Sequence, residues 1–164
     1  MLFDGMGAKL LKEKLSKDSF LLKYLASEIS SVVPSTTTAS TTSMLSGLTP
    51  IEHGWIGWDL YVKEEDKIIT MLTNKLKDTK IGAADYNVSK KYFPYDSITN
   101  SINKIGKYYS KILFPFGEDG YKDIDDMLIK VKQNINKKRR NYIYAYYEDL
   151  DGIMHDTGTI VKVH

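Results

Sequence analysis

Residues 142–147 read Tyr-Ile-Tyr-Ala-Tyr-Tyr, with an apolar or aromatic side chain at every position. A strand that is wet on one face alternates polar and apolar residues, so this run suits a strand covered on both faces. Directly upstream, Ile124, Leu128, Val131 and Ile135 step by four, three and four, which lines up one apolar face of a helix. Lys137, Lys138, Arg139 and Arg140 follow, closing that helix at the end where cations are favoured. These charges read as a helix end and not as a nucleic-acid patch. A helix leading into a doubly covered strand is the unit from which parallel sheets are built.

The rest of the chain arranges itself around that unit. Leu2 and Phe3 read as a strand end ahead of Asp4, Gly5 and Gly7. A helix follows from Ala8, with Leu10, Leu11 and Leu15 at helical spacing. Another, carrying Phe20, Leu21, Tyr24 and Leu25, starts after Asp18 and Ser19. Residues 30–33 read as a short buried strand ended by Pro34. Residues 38–46 read as a short helix with a hydroxyl-rich start, stopped by Gly47. Residues 55–61 form a loop leading into a strand, 68–72 another strand, and a helix is expected near 98–112. The weakly patterned 78–120 stretch reads as an insertion or cap within one domain spanning 1–164. Strand, helix, strand, helix and strand in this order predict an α/β fold, a three-layer α/β/α sandwich with a mostly parallel sheet.

Composition then excludes several classes. A chain of 164 residues can bury one core, and its net charge of +2 gives no electrostatic argument for nucleic acid or an anionic membrane. There is no cysteine, so disulfides and thiolate metal sites are excluded and a metal must rest on Asp, His or hydroxyl oxygens. No apolar stretch approaches the roughly 18 residues of a membrane span. The start lacks the basic segment and apolar core of a signal peptide, so the chain as written reads as cytoplasmic; a longer native N-terminus would reopen export.

In a parallel sheet, ligands collect beyond the carboxyl ends of the strands. Asp4, the Thr36-Thr37 pair and Asp151 all fall just past expected strand ends. A threonine hydroxyl at a helix N-terminus meets free N–H groups that suit a phosphate, and contact with a metal makes it a competent nucleophile. Alone, the Ser/Thr cluster reads more readily as a capped turn without chemistry. Asp151 and His155 are four apart, so one helical turn points both the same way and lets them grip one metal. Alone, that pair reads more readily as a solvated turn, and Asp4 equally as a helix cap. Trp55 and Trp58 are candidates for an aromatic wall against a nucleobase or lipid portion of a substrate.

Three segments together resemble the type I phosphodiesterase/nucleotide pyrophosphatase family, in the alkaline phosphatase superfamily. They are Leu-Phe-Asp-Gly-Met-Gly at 2–7, Val-Pro-Ser-Thr-Thr-Thr through Thr-Pro-Ile-Glu-His-Gly at 33–54, and Tyr-Tyr-Glu-Asp-Leu-Asp-Gly-Ile-Met-His at 146–155. The resemblance implies an alkaline phosphatase-like sandwich, here truncated, and metal-dependent hydrolysis of a phosphodiester or phosphomonoester. The substrate would be a small phosphoester, with a nucleotide as one candidate. Residue by residue, Asp4 matches a ligand of the first metal, Thr37 the covalent nucleophile that also touches a metal, and Asp151 and His155 ligands of the second. Thr36 and Thr38 flank the nucleophile; His53 matches a structural position. Two divalent ions about 4 Å apart, Zn²⁺ first and Mn²⁺ or Mg²⁺ as alternatives, would support a phospho-threonine intermediate.

Two departures stand out. The stretch Trp55-Ile56-Gly57-Trp58 lacks the phosphate-binding Asn of some members, although bacterial relatives with Gly-Trp here look similar. The Asp-His pair and later His that complete the family's two-metal site are not found after His155, so about half the site is expected in this chain. The competing expectations are a non-catalytic scaffold or binding module, and a sulfatase or phosphomutase relative.

Overall fold

The computed structural model describes residues 1–117, 119–135 and 140–158. They fall into two compact units, one from Met1–Ser30 and Tyr109–His164 and the other from Ser31–Tyr108.

In the first unit, strands β1 (Leu2–Phe3), β5 (Tyr109–Leu113) and β6 (Asn141–Tyr147) form one sheet in the order β1-β6-β5. All its pairings are parallel, with Leu2 opposite Tyr146, Phe3 opposite Tyr147 and Leu113 opposite Ala145. The uninterrupted apolar run is thus the central strand, the position that needs cover on both faces. Helix α7 (Ile124–Ile135) packs on β5 and β6, where Leu113, Tyr121, Met127 and Ala145 form a buried cluster joined by Leu128 and Val131. Ile124 and Ile135, at the ends of the expected face, are partly exposed, and Met127 is its buried centre. The basic run expected to close α7 lies, for Lys137 to Arg139, outside the described residues. Helix α1 (Ala8–Lys14) forms as expected; α2 (Phe20–Lys23) is a single turn that stops short of Tyr24 and Leu25, and neither buries a residue. Helix α8 (Asp149–Thr157) follows β6.

The second unit begins with α3 (Thr37–Ser46), ended by Gly47 in the left-handed conformation at φ +76°. Helix α4 (Pro50–His53) follows. Strands β2 (Asp59–Val62), β3 (Lys67–Thr70) and β4 (Lys75–Leu76) make an antiparallel sheet, and α5 (Val88–Tyr92) and α6 (Ile98–Lys104) complete the unit. Its core is Val62, Ile69, Ala83 and Val88, with Tyr92 and Phe93 packed against it.

Two local expectations are corrected. Residues 30–33 form no strand: Ser30 and Ser31 leave only two apolar residues, and Val33 is 88% exposed. The helix expected near 98–112 ends at Lys104; Gly106 turns the chain at φ +71° and Tyr109–Leu113 pairs with β6 as a strand. No helix among the described residues is long and apolar enough to cross a membrane.

Candidate functional site

Strands β1 and β6 are parallel neighbours, so the residues after each leave the sheet at the same carboxyl edge. Asp4 follows β1, and its amide donates to the Tyr147 carbonyl at 2.8 Å, extending the ladder by one bond. Its carboxylate is held from two sides. Oδ1 accepts from the Gly5 amide at 3.0 Å, and Oδ2 accepts from the Tyr146 hydroxyl at 2.7 Å.

Gly5 then lets the loop close on the first turn of α8. It sits at φ +71°, and a Cβ there would lie 3.0 Å from the Asp151 Cα and 3.1 Å from its amide nitrogen. The Asp4 loop and the Asp151 backbone are therefore in van der Waals contact. On α8, Asp151 Oδ2 lies 3.3 Å from His155 Nε2, the pairing expected from i,i+4 spacing.

This edge is acidic. Burial pushes the Glu148 carboxyl above its ordinary range, and the charges of Asp149, Asp4 and Asp151 push it further. Burial, and then the bond to Asp4, raises the Tyr146 phenol. Crowded carboxylates with a nearby imidazole have the donor chemistry of a first-row divalent cation, and a cation would relieve their repulsion. Among the described residues, however, no group of three or more His, Cys, Asp or Glu is arranged to hold a metal ion. Asp4, Asp151 and His155 carry donor atoms of the kind a divalent cation takes, without being arranged together as a metal-binding group.

Thr37 opens α3 in the second unit. Thr36 is its N-cap, and the Thr36 hydroxyl accepts from the Ala39 amide at 3.2 Å. Thr38 is fully buried, Thr37 half-buried. The Thr37 carbonyl accepts from the Thr41 hydroxyl at 2.8 Å, a bond that stiffens this first turn. His53 is buried, its Nδ1 accepting from the Trp55 amide at 3.0 Å and its Nε2 lying 3.0 Å from the Ser43 hydroxyl. Both ring nitrogens are engaged in joining α3 to the turn after α4.

The two tryptophans part company. Trp55 is 3% exposed, donates to the Phe93 carbonyl at 2.8 Å and meets Tyr95 edge-on, so it belongs to the core and not to a pocket. Trp58 is 44% exposed and borders an open cavity of about 420 Å³ with Asp59, Thr73 and Lys75.

The family described as type I phosphodiesterase / nucleotide pyrophosphatase has a sequence model that matches residues 1–162, nearly the whole chain. The chain belongs to that family. Its parallel sheet with packed helices agrees with the alkaline phosphatase-like architecture, and the family's chemistry is hydrolysis of phosphodiester and pyrophosphate bonds. No curated protein and no solved structure compared with the chain matches it.

Tyr146, Glu148 and Gly5 were not singled out from the sequence as parts of this edge. The pattern of the aromatic run gives no sign of which of its four tyrosines faces Asp4; the parallel register does.

Proposed function

We propose that the protein hydrolyses a small phosphoester, a phosphodiester by preference, with divalent cations and Thr37 as nucleophile. Asp4, Asp151 and His155 would hold the metal ions, Zn²⁺ or a similar divalent ion. When bound, such ions polarise the phosphoryl oxygens and lower the pKa of a coordinated hydroxyl.

The observation that carries this reading is the family match over residues 1–162, joined to the exposure of the three threonines. Thr36 accepts the cap bond from the Ala39 amide and Thr38 is buried, whereas the half-buried Thr37 is the first residue of α3 and the position that matches the family's nucleophile. In the first step the Thr37 Oγ1 forms a bond to phosphorus, the bond from phosphorus to the leaving oxygen breaks, and the hydroxyl proton passes to solvent. Amide groups at the start of α3 favour the negative charge on the transferring group. In the second step water attacks phosphorus, the Oγ1–P bond breaks, and Thr37 regains a proton.

The competing reading is a non-catalytic binding module or scaffold, and the observation that favours it is that the described residues include no arranged metal-binding group. Release of p-nitrophenolate from bis(p-nitrophenyl) phosphate, with Zn²⁺ and with chelator, separates the two. Turnover is expected only with metal, and Thr37→Ala is expected to lose at least roughly 1,000-fold. Turnover unchanged in Thr37→Ala would remove the nucleophile assignment; no turnover with any of Zn²⁺, Mn²⁺ or Mg²⁺ would favour the scaffold.

A further inference from the structure

Tyr146 stands directly opposite Leu2 in the parallel β1–β6 register, and Asp4 lies two residues beyond Leu2. Side chains two apart on a strand share a face, so the phenol and the Asp4 carboxylate emerge on the same side of the sheet. There the hydroxyl meets Asp4 Oδ2 at 2.7 Å. The ring has little freedom to leave. Tyr146 is 2% exposed, its ring packs 5.3 Å from that of Phe114, and its backbone carbonyl accepts from the buried Tyr121 hydroxyl.

We propose that Tyr146 is a positioning residue that orients the Asp4 carboxylate for a metal ion, an inference that rests on the metal-dependent reading above. The bond from Tyr146 to Oδ2, with that from the Gly5 amide to Oδ1, fixes the plane of the Asp4 carboxylate. Groups that hold a metal ligand in this way commonly change metal affinity by 10–100-fold when removed.

The test is Zn²⁺ titration by calorimetry, paired with melting curves, on the whole chain and three variants. Asp4→Asn should abolish or severely weaken binding. Tyr146→Phe keeps the packed ring and should raise the Kd about 10-fold or more. Tyr121→Phe loses a hydrogen bond to the same residue's backbone without touching Asp4, and should lower the melting temperature while leaving the Kd unchanged.

Wild-type affinity in Tyr146→Phe, with binding lost in Asp4→Asn, would overturn the positioning role and leave the metal reading standing. Equal weakening in Tyr146→Phe and Tyr121→Phe would make the effect one of general stability and also overturn it. Absence of Zn²⁺ binding in the unsubstituted chain, or full binding in Asp4→Asn, would remove the metal reading and this role together.

Discussion

Gly5 decides how closely the loop after β1 can approach α8. Its φ of +71° disfavours any other residue, and an added Cβ would also sit 2.4 Å from the Met154 Cε. The methionine tip can swing away; the Asp151 backbone, 3.0 Å from the same point, cannot. Gly5→Ala should therefore cost about 2–5 kcal/mol, summing the left-handed penalty and the overpacking. Most of that loss should persist in a Met154→Ala background, because the backbone clash remains; urea denaturation of both variants measures it. A loss in Gly5→Ala that Met154→Ala restores fully would mean the side chain alone was the obstacle. At this scale the sequence was legible where spacing fixes geometry, as for Asp151 and His155 on one turn of helix. It was not legible for Tyr146, since its contact with Asp4 depends on a pairing across 142 positions that no local pattern encodes.

Elements divide in the same manner. The helix 124–135 and the strand that follows were readable because each shows a strong period, or a plain lack of one, over many residues. A helix over 98–112 is the natural local reading because the apolar residues Ile98, Ile102, Ile105 and Ile112 continue a helical spacing across Gly106, where the chain in fact turns into β5. The pairing of Tyr109–Leu113 with β6 is a tertiary gain that overrides the local signal. The α3–α4 junction offers a test of its own through His53. Burial holds this imidazole below its ordinary pKa of 6.5 in the folded state. The unfolded chain therefore takes up the proton first as pH falls, and folding stability declines. The contribution is complete above about pH 6.5 and is lost as pH drops through the lower, folded value. The urea midpoint should fall between pH 7 and pH 5, with a shallower fall in His53→Asn. An identical slope in that variant would show that other groups carry the pH dependence.

For the whole molecule, the α/β class and a parallel sheet are legible in element order, although the strand expected at 30–33 is absent; that β1 and β6, which precede Asp4 and Asp151, are neighbours is not legible there. In the antiparallel sheet, β2 and β3 lie where strands are expected at the end of 55–61 and near 68–72, whereas the two-residue β4 is not foreseen. Such a short strand has too little length to display a period. The central claim is chemical: phosphoryl transfer passes through Thr37. The measurement that meets it most directly is mass spectrometry of the protein quenched with acid during reaction with bis(p-nitrophenyl) phosphate and Zn²⁺. The account predicts a nitrophenyl-phosphoryl or phosphoryl adduct on the peptide containing residues 36–38, assigned by fragmentation to Thr37 and absent from Thr37→Ala. Turnover without any adduct, or an adduct on Thr36 or Thr38, would contradict it.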